Sequence, residues 1–134
     1  MKGIPHTALH ALAAGSMISI LVIGGSGMAS ADSNPVPVPP GYVPDGSSAV
    51  HDYCTSPMPN EYLGADFRGP CAKHDMCMEA HRRDQMYGSC HNQFSVDLQS
   101  VCNWAFSSTI DFHRRKSCNT YVDGVMLAVR RANP

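Results

Sequence analysis

The sequence predicts an all-α fold held together by disulfides, and three observations carry that reading. From Pro70 no glycine or proline interrupts the chain until Gly88. Beyond that turn, Phe94, Leu98, Val101 and Ala105 recur at spacings of 4, 3 and 4 residues, the period of one buried helical face. Six cysteines, all after residue 50, stand in a chain of 134 residues, a length that suits one domain with a modest core.

The elements follow in order. The chain opens MKGIPHTALHALAAGSMISILVIGGSGMASADS, in which Lys2 precedes an apolar run from about Ala8 to Ile23. Ala29-Ser30-Ala31 then supplies the small-x-small pattern that a signal peptidase cuts, so residues 1–31 read as a secretory signal peptide. As a membrane anchor the run is too short, because Gly24, Gly25 and Gly27 break it before the roughly 20 apolar residues that a bilayer span requires. Residues 32–49 hold Pro35, Pro37, Pro39, Pro40 and Pro44, which deny helix and sheet hydrogen bonds, and read as an extended or disordered leader. The folded domain is expected over 50–134.

Within it, His51 to Gly64 is punctuated by Pro57, Pro59 and Gly64 and reads as loop. Pro70 suits a first helical turn, which predicts a helix over 70–86. Tyr87-Gly88-Ser89 is a turn, and a second helix is expected over 90–107 with Trp104 and Phe106 in its core. A shorter helix covers 121–131, with Val122, Val125, Met126 and Val129 inward. Two long helices joined by a tight turn pack antiparallel.

The formal net charge is −1, which gives no reason to expect nucleic acid as a partner. The local clusters Arg114-Arg115-Lys116 and Arg130-Arg131 read as solvated helix ends. An even cysteine count in a short exported chain implies disulfides. Cys54, Cys71, Cys77, Cys90, Cys102 and Cys118 allow 15 pairings, and spacing does not choose between them.

The stretch that carries chemistry is CAKHDMC, Cys71 to Cys77. Adjacent helical residues point about 100° apart, so His74 and Asp75 serve neighbouring sites and do not form a dyad. On this helix Cys71, Asp75 and Met78 share one face, and His74, Cys77 and His81 the adjoining one. His74 is placed to act as a base. Asp75 beside a carbonyl-rich loop suits calcium, which takes several hard oxygens. Asp52 lies in the loop ahead of the helix, two residues before Cys54, and a Cys54–Cys71 bridge would draw it towards Asp75. A competing zinc reading uses Cys71, His74, Cys77, Cys90 and His91 as soft ligands, whereas export and an even count favour paired cysteines. His51, His81 and His113 carry no assignment.

FRGPCAKHDMC, Phe67 to Cys77, resembles the His-Asp helix of secreted phospholipases A2, and looks most like their short bacterial and fungal branch. Asp52-Tyr53-Cys54 fits the Asp-x-Cys calcium loop of that branch, and the likeness runs roughly from residue 52 to 118. The resemblance implies that His74 takes a proton from a water that attacks the sn-2 ester of a glycerophospholipid. It implies calcium, held by the carboxylates of Asp52 and Asp75 and the carbonyl of Tyr53. It implies the pairs Cys54–Cys71, Cys77–Cys90 and Cys102–Cys118. A phospholipid membrane or micelle surface would be the partner, and the protein a secreted monomer.

The pattern departs from the family at one network. The residue after the second helix's first cysteine, expected to be an Asp that holds the base, is His91, although Phe94 keeps the register. Asp97, the one acid on that helix, points roughly 120° away. Met78 stands where many relatives carry a Tyr. Loss of the orienting carboxylate in a Ser-His-Asp triad costs about 10⁴ in rate. The alternative expectation is therefore a catalytically weak phospholipase-like module that binds lipid or a protein partner.

Overall fold

The computed structural model describes residues 34–48, 51–55 and 58–134; the signal-peptide reading of 1–31 falls outside them. A short hairpin comes first. Strands β1 (Glu61–Tyr62) and β2 (Ala65–Asp66) pair antiparallel, Glu61 opposite Asp66 and Tyr62 opposite Ala65. Its two-residue turn takes positive φ at both positions, 55° at Leu63 and 99° at Gly64, the backbone that lets such a turn follow strand twist. Gly64 adopts this freely. Leu63 is held there, with Arg114 Nη2 donating to its carbonyl at 2.7 Å.

Three helices follow: α1 (Arg68–Ala80), α2 (Gly88–Ala105) and α3 (Phe112–Ala132), with a 3-10 turn at Thr109–Asp111 before the last. The all-α class holds, with α2 packed against both α1 and α3. Phe94, Leu98 and Val101 of the expected stripe are buried, together with Phe67, Ala65, Val122 and Met126 from the other elements. Each buried Phe, Leu, Val or Met side chain among them contributes about 1.5–3 kcal/mol. Among the described residues no helix is long and apolar enough to cross a membrane.

The cysteines pair as Cys54–Cys71, Cys77–Cys90 and Cys102–Cys118, and none is free. The first ties the Asp52–Cys54 loop to α1, the second α1 to α2, and the third α2 to α3. This is the pairing that the phospholipase resemblance implies.

Several boundaries differ from the sequence reading. α1 ends at Ala80, six residues before Met86. The last turn closes with the His81 N–H on the Cys77 carbonyl at 3.2 Å; further on, Asp84 accepts from the Met86 N–H at 3.1 Å and Gln85 takes a φ of 53°, a side-chain turn of the kind that competes with helix. α2 starts at Gly88 and stops at Ala105, where Arg115 Nη1 donates to the Phe106 carbonyl at 2.6 Å. The third helix is the longest, at 21 residues. Its first turns bury nothing apolar, and only from Cys118 through Val122 to Met126 does a buried stripe run, so periodicity alone could not place its start. Those first turns are held instead by the Cys102–Cys118 bridge and by Arg114 and Arg115, whose guanidinium groups also lie 4.8 Å from the Phe106 ring and 5.9 Å from the Phe112 ring. Both arginines bond to main-chain carbonyls of the molecule, while Arg114 and Lys116 remain exposed as the sequence suggested. Phe106 is core at 2% exposure, whereas Trp104, expected in the core, is 43% exposed.

The Pro-rich segment read as an extended or disordered leader lies against the domain over residues 34–48. Val36 is 3% exposed. Asn34 Nδ2 donates to the Asp66 carbonyl at 3.1 Å, and the Asn34 side chain accepts from the Val36 N–H at 2.9 Å. Gly69 makes this approach possible, since a Cβ there would overlap the Val36 carbonyl. Gly69→Ala is therefore expected to cost about 1–3 kcal/mol by overpacking. It should lower the thermal midpoint and open residues 34–48 to limited proteolysis; an unchanged midpoint and digestion pattern would show that this seat contributes nothing.

Candidate functional site

Two adjoining faces of α1 build the site. On the first, His74 stacks on Phe94 of α2 with ring centroids 4.3 Å apart, and its Nε2 lies 3.0 Å from Nδ1 of His91. His91 is 2% exposed, and its Nε2 is 2.7 Å from the Asn133 carbonyl oxygen at the end of α3. The juxtaposition follows from chain geometry. His74 stands one helical turn before Cys77, His91 stands one residue after Cys90, and the disulfide joins those cysteines. Burial, and then the neighbouring His91, pull the His74 pKa down to about 4, so its imidazole is neutral near pH 7. Asp97 lies elsewhere: it accepts from Gln93 Nε2 at 2.8 Å and sits 3.8 Å from Lys73 Nζ.

On the second face, Asp75 is 7% exposed and its Oδ2 accepts from the Tyr42 hydroxyl at 2.5 Å. The same hydroxyl accepts from the Tyr53 N–H at 3.0 Å. Tyr42 stacks on His51 at 4.3 Å, and His51 Nδ1 meets Glu79 Oε1 at 2.8 Å. Tyr53 holds the left-handed backbone, φ 67°, and Asp52 accepts from Thr55 Oγ1 at 3.3 Å. Burial first, and then the Asp52 carboxylate among its neighbours, raise the Asp75 pKa to about 6. Burial and the Asp75 carboxylate likewise push the Tyr42 phenol above its ordinary range.

Asp52 is near enough for its charge to contribute to the raised Asp75 value, and carboxylate and carbonyl oxygens are the donor type that a hard divalent cation takes. The zinc reading loses its ligands. Cys77, His81 and Cys90 bring ligand atoms within 4.8 Å of one another, but the two sulfurs are bonded to each other and offer no thiolate.

Comparison with family models, with curated proteins and with solved structures finds no match to the chain.

The structure thus brings His74 to His91, and Asp75 to the Asp52–Tyr53 loop. Sequence reasoning missed Tyr42, His51 with Glu79, and Asn133. Tyr42 and Asn133 reach the site from 33 and 42 residues away along the chain. Neither belongs to a spacing motif, and the one hint was an aromatic residue within a Pro-rich run.

The raised Asp75 value has a stability consequence. The folded chain holds this proton more tightly than the unfolded one, so stability falls as pH rises from about 3.8 through about 6 and the deficit is complete above that. His74 acts oppositely: its lowered value removes stability as pH falls from about 6.5 to about 4. Asp75→Asn should therefore raise the thermal midpoint by about 5 °C at pH 7.5 in chelator, and lack any rise that added calcium produces in the unaltered chain. Differential scanning calorimetry with and without calcium measures both; a midpoint that calcium raises equally in the variant would show that Asp75 is not a calcium ligand.

Proposed function

We propose that this chain is a secreted, calcium-dependent phospholipase A2 that hydrolyses the sn-2 ester of glycerophospholipids, with His74 as general base. The observation that carries the reading is the neutral His74, backed at 3.0 Å by a buried imidazole, with the carboxylate of the next residue facing the Asp52–Tyr53 loop. His74 is neutral near pH 7, and its bare ring nitrogen accepts a proton from the attacking water. His91 orients the ring, and Phe94 covers one of its faces. Asp52 and Asp75 through carboxylates and Tyr53 through its carbonyl would hold calcium, which when bound supplies Lewis-acid stabilisation to the substrate phosphate and the developing oxyanion. Three disulfides are compatible with an extracellular protein. Trp104, Ile110 and Phe112 are exposed around the α2–α3 connection, and aromatic side chains of this kind favour the lipid–water boundary.

A second reading has its own observation. A pKa of about 4 makes His74 a weak base at neutral pH, and His91 lacks the negative charge that would stabilise an imidazolium. The chain would then be a phospholipase-like module that binds lipid or a protein partner with little turnover.

Fatty-acid release from mixed-acyl phosphatidylcholine and phosphatidylglycerol vesicles separates the two, run with calcium, with chelator, and with His74→Ala. The hydrolase reading expects calcium-dependent release of the sn-2 acid, lost in the variant. No release above the variant, from oxidised protein that binds calcium, would leave the binding module. His91→Asp places a carboxylate beside His74 and should raise its pKa towards neutrality. The expected result is an increase of about tenfold or more in turnover near pH 7. An unchanged rate in the folded variant would mean that residue 91 does not limit the base.

A further inference from the structure

We infer that Asn133 is a positioning residue: its backbone carbonyl, acting through His91, decides which ring nitrogen of His74 is left free. The inference deepens the hydrolase reading and rests on it for what the free nitrogen does.

The argument is one of donors and acceptors. A carbonyl oxygen has no proton to give, so His91 Nε2, 2.7 Å from Asn133 O, carries the proton and donates. In the neutral form His91 has only one N–H, which leaves its Nδ1 bare and accepting. His74 Nε2 lies 3.0 Å from that bare nitrogen and must donate to it. The remaining nitrogen of His74, Nδ1, is then the one with a lone pair. One carbonyl at the end of α3 thus sets the direction of the whole chain of hydrogen bonds, from His74 through His91 to Asn133. His91 is too deeply buried for bulk water to stand in for that carbonyl.

The carbonyl is held in place. The Asn133 N–H donates to the Val129 carbonyl at 3.0 Å, which closes the last turn of α3. Arg130 Nη2 donates to Asn92 Oδ1 at 3.0 Å, which pins the end of α3 to the start of α2, next to His91. Asn133 leaves helical geometry at φ −137° and ψ 80°, as a residue ahead of proline is biased to do. The acceptor is backbone, so the identity of the Asn133 side chain is immaterial. The family arrangement uses an Asp for this purpose; here a neutral ring and a remote main-chain oxygen divide the task of directing the base.

The test is the tautomer itself. With histidine labelled in its ring nitrogens, long-range proton–nitrogen spectra of the whole chain should show His91 and His74 each protonated at Nε2 and bare at Nδ1. An Nδ1-protonated or doubly protonated His91 at pH 7 overturns the inference, and this arm needs no variant. Asn133→Ala keeps the carbonyl and should leave both signatures unchanged. A chain ending at Val129 removes the carbonyl, and its His91 signals should shift to exchange averages. On phosphatidylglycerol vesicles its turnover should fall by about 10- to 100-fold with KM within about twofold. Truncation that leaves both tautomers in place also overturns the inference. If the tautomers respond to truncation but neither chain hydrolyses lipid, positioning stands and the hydrolase reading fails.

Discussion

The crosslink between Cys77 and Cys90 sets the register of α1 against α2, and the rest of the site depends on that register. A slip of one helical turn, about 5.4 Å, would carry His74 out of reach of His91, which it meets at 3.0 Å. It would also separate His74 from Phe94, whose ring covers it. A covalent tie one turn from His74 opposes such a slip and adds the stability a small core lacks.

Around this register, α1 serves two sites because consecutive helical residues diverge by about 100°. His74 is directed inward to α2 and, through His91, to the end of α3. Asp75 is directed to the loop before α1 and to the N-terminal segment, where Tyr42 joins it to Tyr53. The two networks share no hydrogen bond, yet both are fixed by the same helix and by disulfides at Cys71 and Cys77. The N-terminal segment thereby becomes part of the site's architecture: Val36 seats on Gly69, and Tyr42 reaches the carboxylate.

The buried partner of His74 is an imidazole, His91, and not the carboxylate that the resemblance leads one to expect. A carboxylate would accept from His74 in any state and favour its protonation. A neutral imidazole does so only if its own proton is drawn to the other side, which is the part that Asn133 plays. The electrostatic consequence is the low pKa of His74, caused mainly by burial and then by its neighbour. A neutral imidazole at this place can orient His74 but brings no negative charge to stabilise an imidazolium.

Much of this was legible in the sequence. The apolar period of Phe94, Leu98 and Val101 determined a helix and its buried face, because side-chain burial repeats with backbone geometry. The Cys-x-x-His-Asp-x-Cys spacing determined that His74 and Asp75 diverge, because that follows from helical pitch alone. Only the tertiary structure decided the start of α3, whose first turns are anchored by arginine side chains on distant carbonyls and not by an apolar stripe. It alone decided that α1 stops at Ala80, where the last turn closes on main-chain carbonyls, with the Asp84 side-chain turn beyond it. It alone brought Tyr42 and Asn133 to the site, since contacts across 33 and 42 residues leave no period in the chain. Local order is written in spacing that a sequence displays; the partners of a buried polar atom are settled only when the chain has closed around it.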